Sequence, residues 1–585
     1  MDKKTIGILV VLAVVILFYW QILEFLGIYT PQEPKPADQQ TVDTLVTDTG
    51  TPGMPGDTQT ASQQSPAGQP GATAVSEQPL RSAELSSDTT EATADTVYVT
   101  TQQYRVALSN IGGGPVKIEL QQYSYRNGEP IEMIPGQAAA TPEARFAGGT
   151  FSTSQLVFTC NKRPGKYDAT RDTVEIVYTF TSANGATIER KYIFNPDRES
   201  YDMTLSVSDP AAFGFERFYD MIWNTPLDPT EPGLKDDYQS MEVVAMRGGS
   251  RENLDDYEDD QLQMRLDGQA TWAGVRSKYF AAVLIPRNRP AEMVVANGYK
   301  KETLTPDGKK VEQRKLTGGL GMPFTSISPI ADTFTVFVGG MDYMKMKEYG
   351  VGLHDMLGIG TTAFIGWLIK PFAIGVMWLL PQMYNVVGNY GLVIIIFALL
   401  VKIVTLPLSL KSFKSMQAMK DIQPQLEKLK EKYKKDPQKM NSETMKLYKQ
   451  HGVNPISGCL PMLPQMPLFF AMFAVFRSTI LLRNAPFVWF IDDLSRGATS
   501  FTDPYIVLVV LMILAQFVSQ KFTMASTQQN KAFMYVMPLV FGFIFYSFSA
   551  GLVLYWTTFS ILSLLDYVIF KRPRANQVQG PVAQG

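Results

Sequence analysis

The sequence predicts an α-helical integral membrane protein of six spans, five of them a helical core, carrying a large extracytoplasmic β-sandwich domain. Three observations lead there. The run 391–410, GLVIIIFALLVKIVTLPLSL, is long and apolar enough to cross a bilayer, which takes about 20 residues, yet it holds one charge, Lys402. Further apolar blocks fill 460–570. Between residues 97 and 341 the texture is instead one of short alternating segments separated by turn pairs.

The formal net charge of −2 over 585 residues conceals this segregation of apolar and polar blocks. Two cysteines, Cys160 and Cys459, exclude a disulfide framework. Two distant histidines, His354 and His451, leave little from which to build a metal centre or a histidine-dependent triad. No GxxxxGK[ST], HExxH, CxxC or GxSxG pattern occurs. The expectation is therefore no catalytic residue, no cofactor and no metal.

Residues 1–29 combine Lys3 and Lys4 with the apolar run Ile6–Trp20. A cleaved signal peptide has an apolar region of about 7–15 residues followed by a small-x-small site. Here the flank is Tyr19, Trp20, Phe25 and Tyr29, which suits an uncleaved anchor with a cytoplasmic N-terminus. Residues 30–96 are rich in Pro, Thr, Gln, Ser and Gly and contain no aromatic residue, which predicts a disordered linker. The β-sandwich is assigned to 97–341. Its strand candidates include Tyr104–Leu108, Val116–Leu120, Val174–Thr181 and Thr187–Phe194, with turns at Asn127-Gly128, Asn184-Gly185, Asn297-Gly298 and Asp307-Gly308. The acidic stretch Glu252–Asp260 lacks the calcium-loop pattern and reads as an exposed loop. With one span before it, this domain lies outside the cytoplasm.

Residues 342–388 hold an apolar, Trp-rich segment broken by Lys370 and Pro371, which fits an amphipathic helix lying in the outer membrane interface. The span 389–410 follows. Lys402 lies roughly 12 Å from Leu410 at about 1.5 Å rise per residue. Two readings of it stand: a structural lysine that snorkels or pairs with Asp566, and a polar functional site facing a water-filled cavity. Residues 411–459 are predicted to be a cytoplasmic helical hairpin. From Leu410 to His451 there are eleven lysines against five acids, and a stripe from Phe413 to Tyr433 repeats every three or four residues before Asp436-Pro437 breaks it. This basic island is either solvated or in contact with anionic lipid or RNA phosphate. Four further spans occupy 460–570, and 571–585 form a short cytoplasmic tail.

The run Asn454–Phe469, NPISGCLPMLPQMPLF, closely resembles the YidC/Oxa family of membrane protein insertases, as does Ser549–Trp556, SAGLVLYW. Lys402 falls where that family places a basic groove residue, usually arginine. The order of anchor, linker, sandwich and five-span core resembles the type found in Gram-negative bacteria. The resemblance implies a bacterial inner-membrane protein with both termini cytoplasmic and the large domain periplasmic. It also implies insertion and folding of nascent membrane proteins through a hydrophilic groove open to cytoplasm and lipid, without nucleotide hydrolysis.

On that resemblance the groove comprises Lys402, Gln465, Gln516, Trp556 and Thr557, and a substrate slide comprises Met466, Phe469, Phe470, Met472 and Phe473. For the glutamines a helix–helix hydrogen bond is the competing reading, and for the slide residues plain bundle packing. The partners implied are nascent membrane proteins and the lipid bilayer, with the Sec translocon and the ribosome as further partners and no DNA. Some family members end in a long lysine-rich tail that engages the ribosome. Residues 575–585 carry no charge, so no such contact is expected here. The alternative function is a transporter or channel that uses Lys402 to bind an anionic substrate; an inverted repeat of broken spans would favour it, and none is evident.

Overall fold

The computed structural model describes residues 95–570, apart from 137–138, 307, 361–365, 435, 453–461 and 524–527. The anchor 1–29, nearly all of the linker 30–96, the tail 571–585 and the first part of the Asn454–Phe469 motif thus lie outside the described residues.

From Thr96 to Gly340 the chain is mostly β-sheet. A five-stranded sheet places Pro130–Glu132, Gly114–Ser124, Tyr104–Ser109, Thr96–Thr100 and Gly165–Asp168 side by side, antiparallel except for the last, parallel pair. A second, fifteen-stranded sheet is built around the long strands Gln261–Arg276, Ala291–Leu304, Lys310–Pro323 and Ile330–Gly340. Val174–Thr181 and Thr187–Phe194 alternate buried and partly exposed residues, as strands with one face on a core must. They join through the Asn184-Gly185 turn, where Gly185 takes φ 83°.

Two expectations in this domain are corrected. Asn297-Gly298 is not a turn: it lies within Ala291–Leu304, paired with Gln263 and Leu262 on one side and with Thr317 and Leu316 on the other. A Cβ at Gly298 would meet Leu316, so the glycine there serves close strand approach. Glu252–Asp260 is not simply a loop. It contributes to the strands Ser250–Leu254 and Tyr257–Glu258, and Glu252 pairs with Arg247 at 2.7 Å.

The strand Phe280–Pro286 joins the two halves of the structure. Phe280, Ala282 and Leu284 belong to the core of the β-domain, whereas Ala281, Val283 and Ile285 belong to a second apolar cluster that continues into the helices. A strand buried on both faces reads as an unbroken apolar run, and FAAVLI is one.

Among the described residues, nine α-helices occur: α1 (Leu234–Gln239), α2 (Tyr343–Glu348), α3 (Gly366–Val387), α4 (Tyr390–Lys432), α5 (Pro437–Gln450), α6 (Met462–Ser478), α7 (Ile506–Thr523), α8 (Gln528–Phe545) and α9 (Ala550–Phe570). In α3, Ile369, Ala373, Val376, Met377 and Leu380 form the buried stripe, while Trp367 and Trp378 point outward. The helix runs on past Pro371, and Lys370 pairs with Asp355 at 3.0 Å. The stretch Tyr390–Leu410 of α4 is long and apolar enough to cross a membrane; apolar stretches in α7, α8 and α9 are shorter. The segment Pro424–Gly452 belongs to a compact unit of its own, separate from Leu80–Gln423 and the chain beyond Val453. Within it, Asp436 caps α5 by accepting from the Lys439 N–H, and Pro437 occupies the first turn.

The loop between α6 and α7 is joined to the β-domain by a buried ion pair. Arg483 Nε donates to Glu231 at 2.6 Å, its Nη1 donates to the Ser124 carbonyl at 2.8 Å, and its guanidinium lies over the Phe280 ring. Glu231 is presented by a loop that Asp237 holds through the Thr230 and Glu231 N–H groups. Burial pushes the Asp237 carboxyl up to about 6, against the pull of these hydrogen bonds. Removing one partner of a buried pair strands the other charge. Arg483→Ala is therefore expected to destabilise the protein by about 3–5 kcal/mol, read as a lower melting temperature in detergent, with Arg483→Lys intermediate.

Candidate functional site

Lys402 sits near the middle of the apolar stretch of α4, and only 6% of it is exposed. Its Nζ donates to Ser563 Oγ on α9 at 2.8 Å and stands 4.9 Å from the centre of the Phe559 ring. An ammonium this buried needs a hydrogen-bond acceptor and gains from a ring face. The anticipated alternative partner, Asp566, has a side chain outside the described ones.

One turn along α9 the pattern repeats with α7. Gln516 Oε1 accepts from Ser560 Oγ at 2.9 Å and from Trp556 Nε1 at 3.2 Å. Trp556, Ser560 and Ser563 are spaced four and three residues apart, so they share one face of α9. That face meets Gln516 at one level and Lys402 at the next, forming a polar seam between α4, α7 and α9. Gln520, four residues after Gln516 on α7, is buried, and its Oε1 has no partner among the described residues. Thr557 is buried too, but its hydroxyl donates to the Val553 carbonyl of its own helix at 2.7 Å.

Trp556 is also where the groove and slide sets meet. Its ring lies 5.0 Å from that of Phe469 on α6, and Phe541 and Phe545 of α8 close around it. Gln465 and Met466 begin the described face of α6, half-buried and exposed respectively; Phe469, Phe470 and Phe473 are partly buried. Phe473 packs on Phe548. Met472 is fully buried, inside the bundle rather than on its face.

Ser560, Ser563 and Gln520 were not singled out from the sequence. The signal was available: in helices such as AGLVLYWTTFSILS, small polar residues recurring every three or four positions act as interhelical glue. What was missing was the identity of the helices opposite.

The comparisons with known proteins match both halves. Residues 382–577 match the family described as 60Kd inner membrane protein, and residues 96–373 match the YidC periplasmic domain. The chain belongs to the YidC family of membrane protein insertases. It is 31% identical to the membrane protein insertase YidC of Syntrophus aciditrophicus over 576 residues, covering 96% of this chain and 98% of that one. It is 35% identical to the YidC of Chlorobium luteolum over 447 residues, covering 73% and 72%. Among solved structures, an active YidC insertase with its first transmembrane domain resolved aligns over 82% of this chain and 94% of its own, at 18% identity and a TM-score of 0.35. The insertase is an inner-membrane protein with a periplasmic, mostly β-sheet domain, and its substrates are nascent membrane proteins. That assignment displaces the anion-transporter reading.

The Gln516 cluster makes a checkable demand on the insertase. Gln516→Leu leaves two donors without their acceptor, which costs roughly 1–3 kcal/mol for each buried group. Melting in detergent should fall accordingly. Adding Trp556→Phe to that variant should cost less than Trp556→Phe alone, because the shared hydrogen bond is already gone.

Proposed function

We infer that the insertase moves polar segments of its substrates through the seam between α4, α7 and α9, working as a groove wetted from the cytoplasm. The observation that carries this reading is Lys402, a cation held at mid-helix by Ser563 rather than at a membrane surface. Carrying a polar chain across hydrocarbon is opposed by the loss of hydration of every peptide group. A polar groove reaching half-way shortens the dry distance. Lys402 attracts acidic segments, Gln465, Gln516 and Gln520 exchange hydrogen bonds with passing peptide groups, and Thr557 lines the same wall beside Trp556. The apolar part of a substrate leaves along α6, over Met466, Phe469, Phe470 and Phe473, with Met472 packing beneath them. Methionine and phenylalanine accommodate varied apolar partners because they repack with little penalty.

In this reading the chain crosses the membrane six times: the anchor in 1–29, then the apolar stretches of α4, α6, α7, α8 and α9. Both termini and the lysine-rich 411–459 hairpin are cytoplasmic, and α3 lies in the outer interface with Trp367 and Trp378 toward lipid. The lysine-rich hairpin is the surface offered to a ribosome, and the Sec translocon is a further partner. The excess of lysine in the hairpin supports this orientation. Protease added to intact spheroplasts should cut within residues 40–90 and spare 428–439; cleavage in the hairpin under those conditions would reverse the map.

The groove reading is tested at Lys402. Lys402→Cys, in a protein whose Cys459 is replaced, should react with a water-soluble maleimide from the cytoplasmic side. Lys402→Arg should keep insertion intact. Lys402→Ala should slow substrates with acidic translocated segments several-fold more than neutral ones, since a cation attracts an anion more strongly in a partly dry site than in bulk water. Equal loss for both substrate kinds, with a shielded cysteine, would make Lys402 a structural residue only.

A further inference from the structure

The chain between α6 and α7 forms a compact cap whose interior is tightly bonded. Asp493 Oδ1 accepts from the Asn484 N–H at 3.2 Å, and Tyr505 Oη accepts from the Asp493 N–H at 2.8 Å while donating to Asp492 at 2.6 Å. The Arg496 guanidinium lies 3.8 Å from the Tyr505 ring centre and bonds Asp503 at 2.9 Å. Out of this scaffold project two large aromatic side chains, Trp489, 98% exposed, and Phe501, 79% exposed.

Trp489 is doubly out of place for a turn in water. It sits in a tight turn closed by Ile491 N–H to Val488 carbonyl at 3.0 Å and Phe487 N–H to Ile491 carbonyl at 2.9 Å, and its φ is +50°. A left-handed conformation costs a side-chain-bearing residue roughly 1–2 kcal/mol, and glycine or asparagine is the usual occupant. The indole gains nothing from the protein in return, since it is almost wholly bare.

Three observations identify what covers it. The cap touches the periplasmic domain, through Arg126–Asp492 at 2.9 Å and Arg483–Glu231, so it lies at the outer ends of the helices. Each aromatic stands beside such an end. Pro486 accepts from Asn389 at the start of α4, and the Phe501 ring packs 5.1 Å from that of Tyr546 after α8. The adjoining helices continue the apolar surface, with Leu392 and Ile396 on α4 and Val507 and Val510 on α7 exposed.

We propose that this cap is a lipid anchor: Trp489 and Phe501 enter the headgroup boundary of the outer leaflet and hold the cap, with the periplasmic domain bonded to it, at a set height on the membrane. An indole suits that boundary because its body is apolar and its N–H can still reach a phosphate or carbonyl oxygen. The proposal rests on the family assignment and on the cap's contacts, and it stands independently of the route substrates take.

The test uses the full-length protein in lipid nanodiscs, with the fluorescence of Trp489 taken as the difference between the wild type and Trp489→Gln. In discs whose acyl chains carry bromine near the headgroup, that difference should be blue-shifted and lose most of its intensity, and bromine near the chain ends should quench it less. A difference spectrum resembling indole in water, unquenched by either lipid, would overturn the proposal. So would a blue-shifted one insensitive to bromine, which would mean a protein surface covers the residue. Trp489→Gly should melt in detergent no lower than wild type, because glycine tolerates the turn; a large drop would show that the indole packs within the protein and would equally overturn it.

Discussion

A charge buried among apolar helices must be given partners, and the contacts between three of those helices reflect that requirement at Lys402. Its ammonium lies within an apolar helix and is hydrogen-bonded to Ser563. For the bond to form, α9 must pass close to α4 at that height with the Trp556–Ser560–Ser563 face turned inward. Once that face is turned inward, Trp556 and Ser560 need an acceptor, and Gln516 of α7 supplies it. One buried cation and the polar groups beside it thus tie three helices together along a single seam. The same feature that constrains packing carries the proposed route for polar segments.

A second constraint acts at the β-domain. Its central strand Phe280–Pro286 is covered on both faces, one by the sandwich core and the other by the cluster that includes the helices. A domain attached through such a strand is not tethered by its linker alone. Arg483 adds direction, because a guanidinium forms hydrogen bonds of fixed geometry to Glu231 and to the Ser124 carbonyl. The apolar contact and the ion pair together join the β-domain to the helices.

Much of this was legible in the amino-acid sequence wherever a physical signal is local. Alternation located Val174–Thr181 and Thr187–Phe194 to the residue. The apolar blocks located the helices beyond 460, and Ser547–Gly551 marked the break between α8 and α9. Local signals also misled. Asn297-Gly298 has the composition of a turn, yet a residue pair cannot reveal that strands on both sides need a glycine for close approach. Met472 shares the methionine and phenylalanine composition of the anticipated slide, but composition does not report which way a helix is rotated, and it is buried.

What the sequence by itself determined was the division into a polar-faced β-domain and apolar helices, the family, and the presence of a lysine where hydrocarbon should be. These follow from hydrophobic periodicity and short motifs, which act over a few residues. The tertiary structure alone decided that Lys402 meets Ser563, that Gln516 serves both Trp556 and Ser560, and that Arg483 reaches Glu231. Each of those pairs joins residues far apart in the chain, and a desolvated polar group chooses its partner by position in space, which no local pattern encodes.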